Sequence, residues 1–215
     1  MQTFTEENYL KAIFHLSADS EVVTTNQIAG ILNTKPASVT DMVKRLSEKK
    51  LVNYARYQGV SLTSSGQKVA LNIIRKHRLW EYFLVEKLNF KWDEVHDMAE
   101  ELEHVSSVEL IDRLDEFMQY PEYDPHGDPI PNKEGHIKPS RLKPVSTLQK
   151  GDEGIISGVA QHSAVFLQYL EKVKLVLGKK IRIIDIIAYD SSVELEVEGN
   201  KINISRDVAK NLLIG

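Results

Sequence analysis

Thr24-Thr-Asn-Gln-Ile-Ala-Gly-Ile-Leu-Asn-Thr-Lys-Pro-Ala-Ser-Val-Thr-Asp-Met-Val-Lys-Arg-Leu-Ser-Glu-Lys49 carries two helical patterns about one turn. Thr24 or Thr25 caps a short helix, Asn26 to Leu32, in which Ile28, Ala29 and Leu32 recur at helical spacing and face inward. Asn33-Thr-Lys35 is the turn. Pro36 stands where a first helical residue tolerates the missing N–H, and Ala37 to Lys49 follows with Val39, Met42, Val43 and Leu46 as its apolar stripe. Lys35, Ala37, Ser38, Thr40, Asp41, Lys44 and Arg45 then fall on or near the opposite face. Short residues at the start of a helix and bases further along suit entry into a DNA major groove, the former at base edges and the latter at phosphates.

Outward from this pair, Thr5 is a candidate cap for a first helix with Glu6 and Glu7 in its first turn and Tyr9, Leu10, Ile13, Phe14 and Leu16 as its apolar residues. On the other side, Leu51-Val-Asn-Tyr54 and Val60-Ser-Leu-Thr63 read as two strands around Arg56-Tyr-Gln-Gly59, a hairpin wing with the Arg56 guanidinium at its tip to reach a phosphate. The expectation for residues 1–70 is a winged helix-turn-helix. Charge supports it. Between Lys35 and Lys68 there are seven Lys/Arg against two acids, within a chain whose net charge is -4.

The opposite asymmetry lies further on. Asp93 to Asp128 holds thirteen acids against the single base Arg113. Within this block His96, Glu100, Glu103 and His104 recur at i, i+4, i+7 and i+8, so one helix would align them on a single stripe. Two imidazoles and two carboxylates on one stripe describe a divalent-metal site, and the alternative is a solvated polar face. A long helix from Gly66 to about Lys87 adds His77 and Glu81 at i, i+4, where two side chains meet a shared ion. Val108 to Met118 reads as another helix, with Leu110, Ile111, Leu114 and Phe117 apolar, and these helices have apolar residues to spare for a dimer interface.

From Pro121 to Pro144 the chain is rich in turn residues, and Gly151 to Gly215 alternates in short runs such as Val193-Glu-Leu-Glu-Val197, as a small barrel of strands would. One short helix, about Ala164 to Val176, interrupts them. With 215 residues and 42% apolar content, one large or two to three small domains can bury real cores. No apolar run approaches 18 residues and no leader pattern opens the chain, so a cytoplasmic protein without membrane contact is expected. Absence of cysteine leaves only oxygen and imidazole nitrogen to hold a metal, which favours Mn(II), Fe(II) or similar ions over thiolate-held zinc.

Glu7-Asn-Tyr-Leu10, Pro36-Ala-Ser-Val-Thr40, Leu62-Thr-Ser-Ser-Gly66, Arg75-Lys-His-Arg-Leu79, Val95-His96 with Glu103-His104, and Pro125-His-Gly-Asp-Pro-Ile-Pro131 together resemble the diphtheria toxin repressor family of metal-dependent transcriptional regulators, on its manganese-responsive side. The likeness covers nearly the whole chain. It implies a mainly α fold with a small β domain: a winged helix-turn-helix (1–70), a helical metal-binding and dimerisation domain (71–140) and a C-terminal SH3-like, FeoA-like barrel (145–215). It also implies metal ligands at His77, Glu81, His96, Glu100, Glu103 and His104, with Glu100 standing where iron-type members have cysteine. A second site is implied at Asp124, His126 and His162. Two positions depart from the family: the ligand of the first helix, commonly Asp or Met, is Asn8, and the next-turn acid of some manganese sensors is Lys11.

The function so implied is a homodimeric, non-enzymatic repressor that binds double-stranded operator DNA when loaded with Mn(II) and controls metal-uptake genes. An Fe(II)-responsive repressor of the same family is the alternative, because these donors do not separate the two ions, and other divalent transition metals should bind in vitro. A metallohydrolase built on the same His/Glu cluster is the remote alternative; it leaves the basic winged helix without a role.

Overall fold

The computed structural model describes residues 2–18, 22–55 and 58–215, so the expectation for Arg56 lies outside the described residues. The chain divides into two compact units.

The first unit comprises the chain up to His77, with Glu103–Val108 and Pro131–His136. Helix α1 (Phe4–Leu16) is capped by Thr3 rather than Thr5: the Thr3 hydroxyl accepts the Glu6 N–H, and the Glu6 carboxylate accepts the Thr3 N–H. The three-residue spacing of Thr3 and Glu6 satisfies two end groups reciprocally, which Thr5 has no acid to match. Helix α2 (Thr25–Ile31) repeats the device with Thr24 and Gln27, and α3 (Pro36–Glu48) begins on its proline. Asn33, in the left-handed region at φ 45°, reverses the chain between them. Strands β1 (Val52–Ala55) and β2 (Gly59–Leu62) pair antiparallel, Val52 with Leu62 and Tyr54 with Val60, as the wing. Leu10, Ile13, Val23, Ile28, Val39, Val43, Leu46 and Val60 are fully buried together. At about 1.5–3 kcal/mol for each large apolar side chain removed from water, this cluster is the main support of the unit. Helix α4 (Ser64–Leu88) contributes its first part. Its start is pressed against the wing: a Cβ on Gly66 would stand 1.9 Å from the Leu51 carbonyl oxygen, so only glycine fits.

The second unit comprises Arg78–Leu102, Glu109–Ile130 and Ile137–Gly215. It includes α5 (His96–Leu102) and most of α6 (Val108–Phe117), with Leu79, Ile111, Leu114 and Met118 buried together. Six antiparallel strands follow: β3 (Lys143–Pro144), β4 (Glu153–Val159), β5 (Lys180–Ile186), β6 (Val193–Val197), β7 (Asn200–Ile204) and β8 (Leu212–Ile214), in the order β3-β8-β4-β5-β6-β7. Helices α7 (Ala164–Lys172) and α8 (Arg206–Asn211) accompany them, and α8 was not expected from the sequence. Alternation puts Ile181, Ile183, Val193, Leu195 and Val197 on the inner face, against Leu167 and Leu170 of α7 and partly buried Trp92. The expected class, mainly α with a small β domain at the C-terminus, is the observed one. The expected continuous stripe from His96 to His104 is not. Helix α5 ends at Leu102, and Glu103 and His104 occupy the turn after it.

Candidate metal centre

In the first unit, Glu103 has no exposure to solvent. Its Oε2 lies 2.7 Å from His77 Nδ1, and Lys11 Nζ donates to both carboxylate oxygens at 2.7 Å. His104 Nε2 stands 3.8 Å from Glu103 Oε1, while its Nδ1 meets Glu7 Oε2 at 2.7 Å and its ring stacks on Phe4 at 4.6 Å between centroids. Helix α1 thus brings Glu7 and Lys11, one turn apart, to the two residues that follow α5. Pairing of one imidazole nitrogen with a carboxylate fixes the ring and leaves its other nitrogen directed at the neighbouring donors. Between Glu7 and Lys11 on the same helix, Asn8 keeps its side-chain carbonyl oxygen buried without a hydrogen-bond partner. An amide oxygen withdrawn from water and left unmatched is costly unless something positive comes to it.

In the second unit, Glu81, Asp124 and His126 are all buried, and they offer ligand atoms that lie within 4.8 Å of one another. The loop after α6 is held by its own backbone: Asp124 Oδ1 accepts the N–H of His126 at 2.8 Å and of Asp128 at 3.0 Å, and Val159 N–H of β4 donates to the His126 carbonyl at 3.0 Å. A Cβ on Gly127, at φ 88°, would stand 2.1 Å from the Ser157 carbonyl oxygen, so this approach also requires glycine. Arg78 grips the same loop, donating to Pro129 O at 2.6 Å and Asp128 Oδ2 at 3.0 Å, with Nε 3.5 Å from Asp124 Oδ2.

His126 Nε2 stands 2.8 Å from the Trp92 carbonyl oxygen, an acceptor only, so a ring proton is on Nε2 and Nδ1 is the nitrogen left for a ligand. Nδ1 faces Glu81 Oε2 at 3.5 Å, too long for a well-formed hydrogen bond. The crowding of charge appears in the acidities. Burial first, and then the charges of Asp128 and Glu81, push the Asp124 carboxyl up to about 7 against the pull of Arg78 and His126. Burial opposes charging of His126, but Glu81, Asp124 and the Trp92 carbonyl outweigh it and raise its pKa. A divalent cation would answer both, since it takes the imidazole lone pair and neutralises the two carboxylates.

The remaining expected ligands flank this cluster. His96 opens α5 with Nδ1 3.4 Å from Glu81 Oε1 and Nε2 3.7 Å from Glu100 Oε1. His162 lies face to face on the His126 ring at 4.8 Å, with Nε2 3.3 Å from the Val159 carbonyl and 3.7 Å from Asp128. Burial, and the charge on His126, lower its pKa against the pull of Asp128. It stands beside the three clustered donors and not among them.

Comparison with known proteins bears on what these groups are for. The iron dependent repressor N-terminal DNA binding domain matches residues 1–60, the iron dependent repressor metal binding and dimerisation domain residues 63–132, and the FeoA domain residues 143–214. An uncharacterised HTH-type transcriptional regulator of Methanocaldococcus jannaschii is 37% identical over 114 residues, 53% of this chain and 91% of its own length. The chain belongs to the iron-dependent, or DtxR/MntR, repressor family. This is a family of metal-dependent transcriptional regulators. A probable metal transport system membrane protein of Chlamydia trachomatis is 46% identical over 88 residues, 41% of this chain and 19% of that protein. The iron-dependent repressor IdeR of Mycobacterium leprae is 34% identical over 127 residues, 59% of this chain and 55% of its own, so the chain spans under two thirds of these two relatives. Among solved structures, a manganese-dependent transcriptional repressor in complex with manganese is 29% identical with a TM-score of 0.87, over 97% of this chain and 98% of that one. The manganese regulator SloR is 33% identical with a TM-score of 0.79, over 98% and 97%.

The residues expected to face DNA lie along α3 and its cap. Lys35, Ala37, Ser38, Asp41, Lys44 and Arg45 are exposed, and Lys44 Nζ is 3.8 Å from Asp41 Oδ1. Thr40 is half-buried and donates its hydroxyl to the Pro36 carbonyl at 3.0 Å. Lys49, another of these bases, donates to both oxygens of buried Glu6, at 2.7 and 2.8 Å. Sequence reasoning missed three residues that shape the candidate centres, Glu7 on His104, Arg78 on the Asp124 loop and the Trp92 carbonyl on His126, and it named Lys11 only as a departure from the family, not as the partner of Glu103. Arg78 and Glu7 stood in quoted motifs, but nothing in their spacing named a partner 50 or 97 residues away.

Proposed function

We propose that this repressor binds operator DNA as a homodimer when loaded with Mn(II), and that it controls genes of metal uptake. Asn8, His77, Glu81, His96, Glu100, Glu103, His104, Asp124, His126 and His162 form the ligand set. Residues 1–70 read DNA, 71–140 hold metal and dimerise, and 145–215 form the SH3-like domain. The observation that carries the reading is the buried group Glu81, Asp124 and His126, whose ligand atoms lie within 4.8 Å of one another. Donors made only of imidazole and oxygen favour Mn(II) and Fe(II), and the solved structures named for manganese lean the reading to Mn(II).

The bound ion supplies a positive charge that several segments share. Glu103 and His104 already touch α1, the first helix of the DNA-binding part, through Lys11 and Glu7. A change at this pair is therefore transmitted to the body that carries α3. Coupling of metal to DNA requires that the ligands be better arranged in the DNA-competent state, typically by about 1–3 kcal/mol. Leu110, Phe117 and Tyr120 expose 43%, 63% and 65% of their surfaces in the single chain, apolar area that suits a second copy.

Operator retention measured against Mn(II), Fe(II), Co(II) and Zn(II) at one salt concentration tests the proposal: the tightest retention is expected with Mn(II). Retention equal with and without any metal would end it, and a clear preference for Fe(II) would replace the ion while keeping the mechanism. Lys44→Ala should weaken binding to all sequences and reduce the salt slope by about one phosphate contact, whereas Ser38→Ala should alter sequence preference.

A further inference from the structure

Lys11 occupies an unusual position for a lysine. Its ammonium sits 2.7 Å from each oxygen of a carboxylate that has no solvent exposure, and the lysine side chain is itself only 13% exposed. The same carboxylate meets His77 Nδ1 at 2.7 Å, and His104 Nε2 stands 3.8 Å from its other oxygen. Both Glu103 oxygens are therefore engaged, and the group that engages both carries a positive charge. One turn earlier on α1, Glu7 holds His104. The acid and the base of one helix turn thus clasp the adjacent His and Glu of the chain segment after α5, each by a bond of opposite charge type.

We propose that Lys11 is a tethered counter-cation: it stands on Glu103 in the place of an ion in the metal-free protein and must leave that carboxylate when an ion is bound. The proposal rests on the reading of Glu103 as a metal ligand. An ammonium that chelates both oxygens neutralises the buried carboxylate without help from outside. A divalent ion ligated by Glu103 would meet a like charge at the same atoms, so the two occupants exclude one another. The lysine stem is long and flexible enough to swing its charge to water, which an arginine fork held at two points does less readily. Two consequences follow. Metal affinity at Glu103 is set below what the ligands alone would give, so the threshold of the sensor is a property of residue 11. Lys11 is also carried by α1, so the event that loads the ion removes one of the links between α1 and the Glu103 segment while the Glu7–His104 contact remains.

Two measurements on the full-length chain test this. Mn(II) affinity without DNA, from chelator competition, is expected to rise at least tenfold in Lys11→Met, which keeps the stem and removes the charge, and to stay at or below that of wild type in Lys11→Arg. The metal-free Lys11→Met protein should also melt earlier than wild type, because Glu103 loses its counter-charge, and should gain more from saturating Mn(II). In the wild-type protein, 15N-lysine NMR should show a slowly exchanging Lys11 ammonium signal that disappears on saturation with Zn(II) as a diamagnetic probe. Unchanged or weaker Mn(II) binding in Lys11→Met, or a Lys11 signal that persists at saturation, would overturn the counter-cation. If Glu103→Gln also bound Mn(II) like wild type, the underlying ligand reading would fail instead, and the two failures are thereby told apart.

Discussion

The two clusters of metal-type donors differ in how their negative charge is met. Around Glu103 the protein supplies its own cation and a second histidine, and both carboxylate oxygens have partners at 2.7 Å. Around Glu81, Asp124 and His126 the match is looser: His126 Nδ1 stands 3.5 Å from Glu81 Oε2, and the buried Asp124 carboxyl is driven toward neutrality by burial and then by its acidic neighbours. Arg78 lies at 3.5 Å from Asp124 but spends its close bonds on Asp128 and Pro129. The first cluster is therefore stable without metal and must be opened; the second is strained without metal and is relieved by it. Similar residue types give different metal-free energetics because Lys11 bonds both oxygens of Glu103, while Arg78 comes no nearer than 3.5 Å to Asp124.

The largest consequence concerns DNA. Glu103→Gln or His104→Ala should abolish metal-dependent operator retention, a loss of roughly 100-fold or more, since each removes a donor next to the helix that starts the DNA-binding part. Asp124→Asn or His126→Ala should lower the bound Mn(II) by one per chain in equilibrium dialysis and weaken retention by a smaller factor. Equal losses in both groups would mean that the clusters act as one centre, and the comparison would collapse.

A smaller effect separates them in the absence of metal. Glu103→Gln leaves Lys11 facing a neutral amide in a mostly buried place, and breaking such a pair costs about 3–5 kcal/mol in dry sites, so its urea midpoint should fall. Asp124→Asn keeps the Oδ1 acceptor for the two backbone N–H groups and removes a carboxyl repelled by Glu81 and Asp128. Its midpoint should hold or rise at neutral pH. Denaturation of both variants in the presence of chelator decides this, and a clear loss of stability in Asp124→Asn would show that Arg78 had already balanced the site.

How much of this was legible in the sequence follows from the range of each interaction. The helix-turn-helix was readable because its signals are local: Pro36 at a helix start, Thr24 with Gln27, and the stripe Val39, Val43, Leu46 all act within one or two turns. The three-residue spacing of Thr3 and Glu6 was just as local and was overlooked in favour of Thr5. The end of α5 was not readable. Periodicity continues through Glu103 and His104, no glycine or proline interrupts it, and the helix yields because those side chains are drawn to partners on α1 and α4. The donor residues themselves were visible as types at helical spacing, and the family resemblance supplied Asp124 and His126. Their orientation was not, since the His126 ring is set by the carbonyl of Trp92, 34 residues back, and by Glu81 of α4.

The smallest effect is the pH dependence of the metal-free protein, and it carries the clearest sign. Asp124 is an acid whose folded pKa is raised, from 3.8 to about 7, chiefly by burial and then by Asp128 and Glu81. Between those values the unfolded chain has lost the proton and the folded chain has kept it, so the unfolded state binds fewer protons and stability declines as pH rises. The contribution is whole below 3.8 and gone above about 7. One proton limits the slope to about 1.4 kcal/mol per pH unit. The raised pKa of His126 acts in the same direction at higher pH: its contribution is present below 6.5 and is lost as pH rises through the folded value. Glu6 acts oppositely. Burial works against its charge, but Lys49, the Thr3 N–H and Arg45 prevail and lower its pKa, so its contribution is present above 4.5 and lost as pH falls. Subtracting the urea-denaturation profile of Asp124→Asn from that of wild type between pH 4 and pH 8 cancels Glu6 and isolates the Asp124 step. Wild type should lose ground to the variant as pH rises in chelator, and Mn(II) should reverse the trend, because the ion competes with the proton and gains as pH increases. Parallel profiles in chelator would mean that Asp124 ionises freely in the folded chain, and the strain assigned to the second cluster would have to lie in His126 and Glu81 alone.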